Sequence, residues 1–229
     1  MFLYGYGQQI LAGTQLTIEL SVLSLLVAFL IGLIGAGSKM SRNYLVKAAA
    51  TLYTTLIRGV PDLVLLLLIF YSLQIGLNHV TDALHMDQIN LDPMTSGILT
   101  LGFIYGAYFT ETFRGAFLSV PKGQIEAGIA YGLSQWQIFW RIQFPQMMRY
   151  ALPGIANNWQ VMLKSTALVS IIGLVDVVQV SIDAGKSSYQ VFFFTLVAAA
   201  VYLMLTTVSQ LILNGLEKHY SMGVREAEL

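Results

Sequence analysis

The sequence predicts an all-α integral membrane protein with five transmembrane helices, the N-terminus outside and the C-terminus inside. Three observations carry this. The 229 residues are 56% hydrophobic and only 10% charged, with a mean hydropathy of +0.68, whereas soluble domains carry about a quarter charged residues. Five segments are long and apolar enough to be read as spans, one of them weakly. Lys and Arg gather in alternate connections, as the positive-inside rule requires.

The chain opens with MFLYGYGQQILAGTQ, which holds no Lys or Arg. It lacks the basic region of a cleavable signal peptide, so the first apolar segment, residues 16 to 37, is expected to remain as a span. A span needs about 20 mostly apolar residues. The second element runs from about Tyr44 to Leu77. As one helix it would be roughly 50 Å long, too long for a ~30 Å core unless tilted or kinked. Pro61 is expected to supply the kink, which sets Asp62 near the bilayer centre. The alternative is an interfacial helix over 44 to 57 and a separate span from 60, with Asp62 near the inner surface. Residues 94 to 113 form the third span and 190 to 213 the fifth. The fourth, 153 to 175, holds Asn157, Asn158 and Lys164, and is expected to face protein or a cavity rather than lipid.

Orientation follows from the connections. Lys39, Arg42 and Lys47 follow the first span; Arg114, Lys122, Arg141 and Arg149 follow the third; Lys218 and Arg225 follow the fifth. The loop 78 to 93 has Asp82, Asp87 and Asp92 without Lys or Arg, and 176 to 189 has only Lys186. Five spans put every basic cluster in the cytoplasm. The whole chain, 1 to 229, reads as one transmembrane domain, with a cytoplasmic loop at about 119 to 149.

Asp62 poses the main chemical question. An unpaired carboxylate at mid-membrane costs roughly 2.5 to 3.5 kcal/mol on insertion scales. Arg58, one turn earlier, could pair with it. Water in a cavity, or a cationic substrate, could also offset the cost. Glu111 and Arg114, three apart, can form an end-of-helix ion pair, an intracellular gate or a subunit contact. Asn157 and Lys164, seven apart, share a helical face; they line a translocation route or serve as polar glue between subunits. Candidate substrate-binding residues are thus Asp62, Arg58, Asn157 and Lys164. Glu19 has no assignable role.

The cytoplasmic loop reads as a short amphipathic helix starting at Ser119 or Pro121, with Glu126 in its first turn, suited to the positive helix end. Ala127, Ile129, Ala130 and Leu133 make a small apolar face containing Gly132, and Trp136 and Trp140 follow one turn apart. Pro145 and Pro153 are expected to mark the start of the fourth span. Small residues allow close approach by another protein; a tryptophan-anchored interfacial helix is the plainer reading.

EAGIAYGLSQWQIFWRIQFP resembles the EAA loop of ABC importer permeases: Glu126, Ala127, Gly132, Ile142 and Pro145 match in spacing, Gly128 stands for the second Ala, and Phe144 for Leu. TTLIRGVPDLVLLLLIFYSLQIGL, GAYFTETFRGAFLSVPKGQIEA and LPGIANNWQVMLKSTALVSIIGLVDV resemble successive parts of the polar amino acid branch of that family, so nearly the whole chain is covered. The resemblance implies a type I ABC importer permease fold in the bacterial inner membrane. It implies that Glu126, Ala127, Gly132 and Leu133 couple to an ATPase subunit. Its partners would be a second permease chain, identical or different, two ATPase subunits and a periplasmic amino acid-binding protein. Branch members often carry an uncharged residue after the proline, so Asp62 implies a substrate with a cationic side chain: histidine, arginine, lysine or ornithine.

Other chemistries find little support. With no cysteine, disulfides and thiolate sites are excluded. Net charge is zero, which gives no case for nucleic acid. Gly185-Lys186-Ser187 lacks the earlier Gly of a phosphate-binding loop, since Val180 occupies that position; ATP is expected on a separate subunit, and no cofactor or covalent chemistry on this one. His79, His85 and His219 have no metal-ligand spacing. Two rivals stay open: a self-sufficient secondary transporter using Asp62 and Glu111, although such folds usually show internal repeats and none is seen, and a structural membrane subunit.

Overall fold

The computed structural model describes residues 2–220. Its α-helices are α1 (Gly7–Lys39), α2 (Tyr44–Gly59), α3 (Asp62–Ala83), α4 (Pro93–Ser119), α5 (Lys122–Ala130), α6 (Gln135–Ile138), α7 (Phe144–Ser165), α8 (Val177–Ser187) and α9 (Val191–Tyr220). A π-helical turn, Phe139–Gln143, joins α6 to α7, and a 3-10 segment, Thr166–Ile172, prolongs α7. No strand occurs among the described residues, as the predicted all-α class requires.

The centre is a parallel pair, α1 and α4, in contact along most of their length. Gly32 of α1 faces Phe109, Gly35 faces Thr110, and on α4 Gly102 faces Val27 and Gly106 faces Ile31. A Cβ added at Gly102 would lie 2.5 Å from Val27 Cγ1, and one at Gly106 2.6 Å from Ile31 Cγ2. Each glycine is a notch for a side chain of the opposite helix, the close backbone approach that holds helices together where no hydrophobic drive acts between them. Buried Leu101, Ile104, Tyr105, Phe109 and Phe113 complete the core.

By length and composition α1, α3 and α9 are apolar enough to cross a membrane, and the bent pair of α7 with its extensions and α8 would add a fourth crossing. α4 has the length, 27 residues, but spends its sequence on Ser96, Thr100, Thr110 and glycines. It is the most enclosed helix, so protein rather than lipid surrounds those polar groups.

The second element is not the expected kinked rod but two separate helices, α2 and α3, close to the bounds of the alternative reading. Val60 and Pro61 are both extended, with φ/ψ of −114°/141° and −59°/138°. Proline disfavours helical backbone in the residue before it, and here the helix stops and restarts instead of bending. The fourth element begins earlier than expected: Pro145 lies at the first turn of α7, but Pro153 is inside it. The predicted loop 176 to 189 is mostly α8, whose axis turns by 57° from the segment ending at Ile172. Gly173, at φ 102°, makes that turn possible. Asp176 then caps α8, accepting from the N–H groups of Val178 and Gln179. Of the basic residues read at the C-terminus, Arg225 lies outside the described residues.

Asp92 caps α4, accepting from Thr95 N–H and Thr95 hydroxyl, each at 2.8 Å. The Thr95 N–H bond above all holds its carboxyl below the usual carboxylate range. Asp92→Ala is expected to cost about 1 kcal/mol. A depressed carboxyl stabilises the fold above its unfolded pKa and loses that effect as pH falls through the folded value. Thermal melts of wild type and variant should therefore differ at neutral pH and converge in acid.

Candidate functional site

The break at Pro61 makes Asp62 the first residue of α3, so its carboxylate meets the positive end of a helix. Oδ2 accepts a hydrogen bond from the Tyr105 hydroxyl at 2.8 Å. Ser165 Oγ lies 2.7 Å from that hydroxyl and 3.5 Å from Oδ2. Tyr105 sits midway along α4 and is buried, so Asp62 is level with the middle of the central helix. Asp62 is only half-buried, and Oδ1 has no hydrogen-bond partner among the described residues.

Arg58 makes no ion pair with Asp62 within 4.0 Å. Its guanidinium lies over the Tyr108 ring, 5.4 Å from the centroid, and Tyr108 stacks on Tyr105 at 5.5 Å. Arg58 and Asp62 thus belong to one cluster without neutralising each other. Tyr105, Tyr108 and Ser165 were not singled out in the sequence. The available signal was a tyrosine in the middle of a span, whose buried hydroxyl needs a partner.

The polar residues of α7 divide. Asn157 and Lys164 are exposed with Pro153 and Val161 along one stripe, in agreement with their predicted common face. Asn158 is buried and donates to Thr112 Oγ1 at 3.0 Å, so it ties α7 to α4 within the chain. Lys164 has no ion-pair partner among the described residues.

Glu111 takes two partners. Arg114 donates to Oε2 through Nε at 2.9 Å, and its Nη2 makes an ion-pair contact with the same oxygen at 2.9 Å, as its spacing predicted. Lys39, at the end of α1, pairs with Oε1. That second partner is 72 residues away in sequence, and no local spacing pointed to it. Glu111 therefore closes the far end of the α1–α4 pair within one chain.

In the loop, α5 starts at Lys122 with Pro121 before it, so Glu126 falls beyond the first turn and does not serve the positive helix end as predicted. Glu126 and Ala127 are exposed on the outer face. Gly128 is buried: a Cβ there would lie 2.8 Å from Ile142 Cδ1 and 3.1 Å from Ile138 Cγ1. A glycine instead of alanine lets α5 sit down on α6 and the π-helical turn that leads into α7. Gly132 has φ +76°, and the bonds Gly132 N–H to Ile129 and Leu133 N–H to Gly128 close α5 with paired terminal hydrogen bonds. Leu133 is half-buried, while Ile129, Tyr131 and Trp136 stand exposed. Gly132→Val is expected to cost about 1 to 2 kcal/mol in this left-handed position, readable as faster proteolysis of the loop with the span core intact.

Residues 28–222 match the family described as binding-protein-dependent transport system inner membrane component. The chain belongs to that family. This inner-membrane permease component is 60% identical over 227 residues to the histidine/lysine/arginine/ornithine transport system permease protein HisQ of Escherichia coli (strain K12), covering 99% of this chain and 100% of that protein. It is 36% identical over 222 residues to the octopine transport system permease protein OccQ of Rhizobium radiobacter, covering 96% and 94%. A crystal structure of an amino acid ABC transporter with histidines matches with a TM-score of 0.78 at 29% identity, covering 93% of this chain and 95% of that one. The inward-facing MetNI methionine ABC transporter matches with a TM-score of 0.73 at 15% identity, covering 93% and 97%, a likeness of fold alone. The type I permease fold expected from the sequence is thus the fold observed, and the loop around Glu126 is the EAA loop typical of these permeases.

Proposed function

We propose that this permease passes amino acids with cationic side chains across the inner membrane, and that Asp62 meets the positive group. The supporting observation is a carboxylate level with the middle of α4, fixed on one oxygen by Tyr105 and open on the other. The 60% identity to a histidine/lysine/arginine/ornithine permease supports the substrate class. Arg58, Asn157 and Lys164 contribute polar surface near the route. A cation among acceptors can be matched by one carboxylate oxygen, while the tyrosine bond keeps that carboxylate oriented.

On this reading the N-terminus is outside, the C-terminus inside, and α1, α3, α4, α7 with its 3-10 extension, and α9 are the five crossings. Two permease chains, identical or different, enclose the path. Two ATPase subunits bind ATP and dock on the face of Glu126, Ala127, Gly132 and Leu133, and an external binding protein delivers the amino acid. This chain performs no covalent chemistry.

The test is reconstitution of the chain with its permease and ATPase partners in vesicles. Arginine or histidine uptake should require internal-face ATP and rise with the binding protein. Uptake driven by an ion gradient without the ATPase would make the chain a secondary transporter. In the same vesicles, Glu126→Arg should uncouple ATP hydrolysis from uptake while the permease chains stay together.

A further inference from the structure

We propose that the cavity between α1, α2 and α4 at the Lys39 end of the molecule binds the phosphate headgroup of an anionic phospholipid. The cavity has a volume of about 470 Å³ and is lined by Lys39, Ser41, Lys47, Thr51, Arg114 and Leu118 among others. Three cations face it, and the Lys39–Glu111–Arg114 network supplies the single acid. Lys47 has no ion-pair partner among the described residues. An excess of positive charge thus remains over a hollow of headgroup size. Ser41 Oγ accepts from Asn43 N–H, which leaves its own hydroxyl proton free to donate.

Position selects the ligand. Lys39 ends α1, and Arg114 and Leu118 are in the last turns of α4, so the cavity lies where long helices leave the membrane. Basic pockets between transmembrane helices at that level bind anionic headgroups. A second space of about 470 Å³ lies along the same α1–α2 corner, lined by Ile34, Val46, Ala50, Tyr53 and Phe103. It is apolar and can take an acyl chain, from which a free phosphate would gain nothing. The outer side of α2 shows Leu45, Leu52 and Leu56 at 75%, 61% and 56% exposure, a surface suited to lipid.

The test is native mass spectrometry of the intact purified transporter titrated with dioleoylphosphatidylglycerol or dioleoylphosphatidylcholine. Wild type should bind the anionic lipid more tightly. Lys47→Glu should weaken that binding by about tenfold or more, with phosphatidylcholine unchanged. Thr51→Leu, which fills the cavity without touching a charge, should also weaken it. Lys186→Glu, at the far end of the molecule, should not. Equal affinity for the two lipids, or indifference to both cavity variants, overturns the proposal. Displacement of the lipid by excess inorganic phosphate would make it a free-phosphate site and overturn the lipid assignment.

Discussion

Asp62→Asn is expected to lower ATP-driven arginine uptake by about ten- to a hundredfold, the loss of one charge-assisted hydrogen bond worth about 1.5 to 3 kcal/mol. Asparagine keeps the shape and can still accept from Tyr105, so α3 should stay seated against α4. Assembly with the partner subunits and basal ATP hydrolysis are expected to persist. The loss should fall on arginine, lysine and ornithine together, since all three lose the same counter-charge. Tyr105→Phe separates positioning from charge: it removes the 2.8 Å bond that orients the carboxylate and should impair uptake less than Asp62→Asn. Wild-type uptake by a well-assembled Asp62→Asn transporter would leave the acid as a structural partner of Tyr105 only.

Gly106→Leu is expected to unseat α1 from α4. The added Cβ would meet Ile31 at 2.6 Å and 2.8 Å, through Cγ2 and Cβ, and Tyr53 Oη at 3.0 Å. A neighbouring Cβ sits close to its backbone and cannot swing away, unlike the tip of a long side chain. Overpacking of this kind costs about 1 to 3 kcal/mol or more. The variant should show a lower midpoint in thermal unfolding of the detergent-solubilised complex and less assembled transporter in the membrane. Gly115→Leu, on the same helix with open space around it, is the control and should leave the midpoint unchanged. Ile31→Ala combined with Gly106→Ala should restore most of the stability, because the two changes exchange volume across one contact.

Features set by local sequence were legible before the fold was known. The apolar runs marked α1, α3 and α9, the loop motif marked α5, and three-residue spacing paired Glu111 with Arg114. Pro61 fits either a kink or a break into two helices, and the rule that proline pushes its predecessor to extended backbone favours the break seen at Val60. α8 falls in the expected loop 176 to 189 because a short helix capped by Asp176 and packed on α1 and α9 has no long apolar run to announce it. The partners that define the site were not legible. Tyr105 is 43 residues from Asp62, Ser165 is 103 away, and Lys39 is 72 from Glu111. Such pairs are chosen by how helices pack, and the glycine notches of α1 and α4 that decide the packing carry no chemistry of their own. Asp62 could be nominated as an anomaly in an apolar run; which oxygen is held and which is free could only come from the fold.

The seating of Gly128 on Ile138 and Ile142 has a mechanical result. α5 rests on α6 and the π-helical turn that leads into α7, and α7 runs for 22 residues, roughly 33 Å, to Ser165. The Ser165 hydroxyl touches the same tyrosine that grips Asp62. A displacement of α5 would therefore reach the tyrosine that holds Asp62 along one continuous run of helix, the route on which the proposed coupling to an ATPase subunit would act without involving α3 or α9.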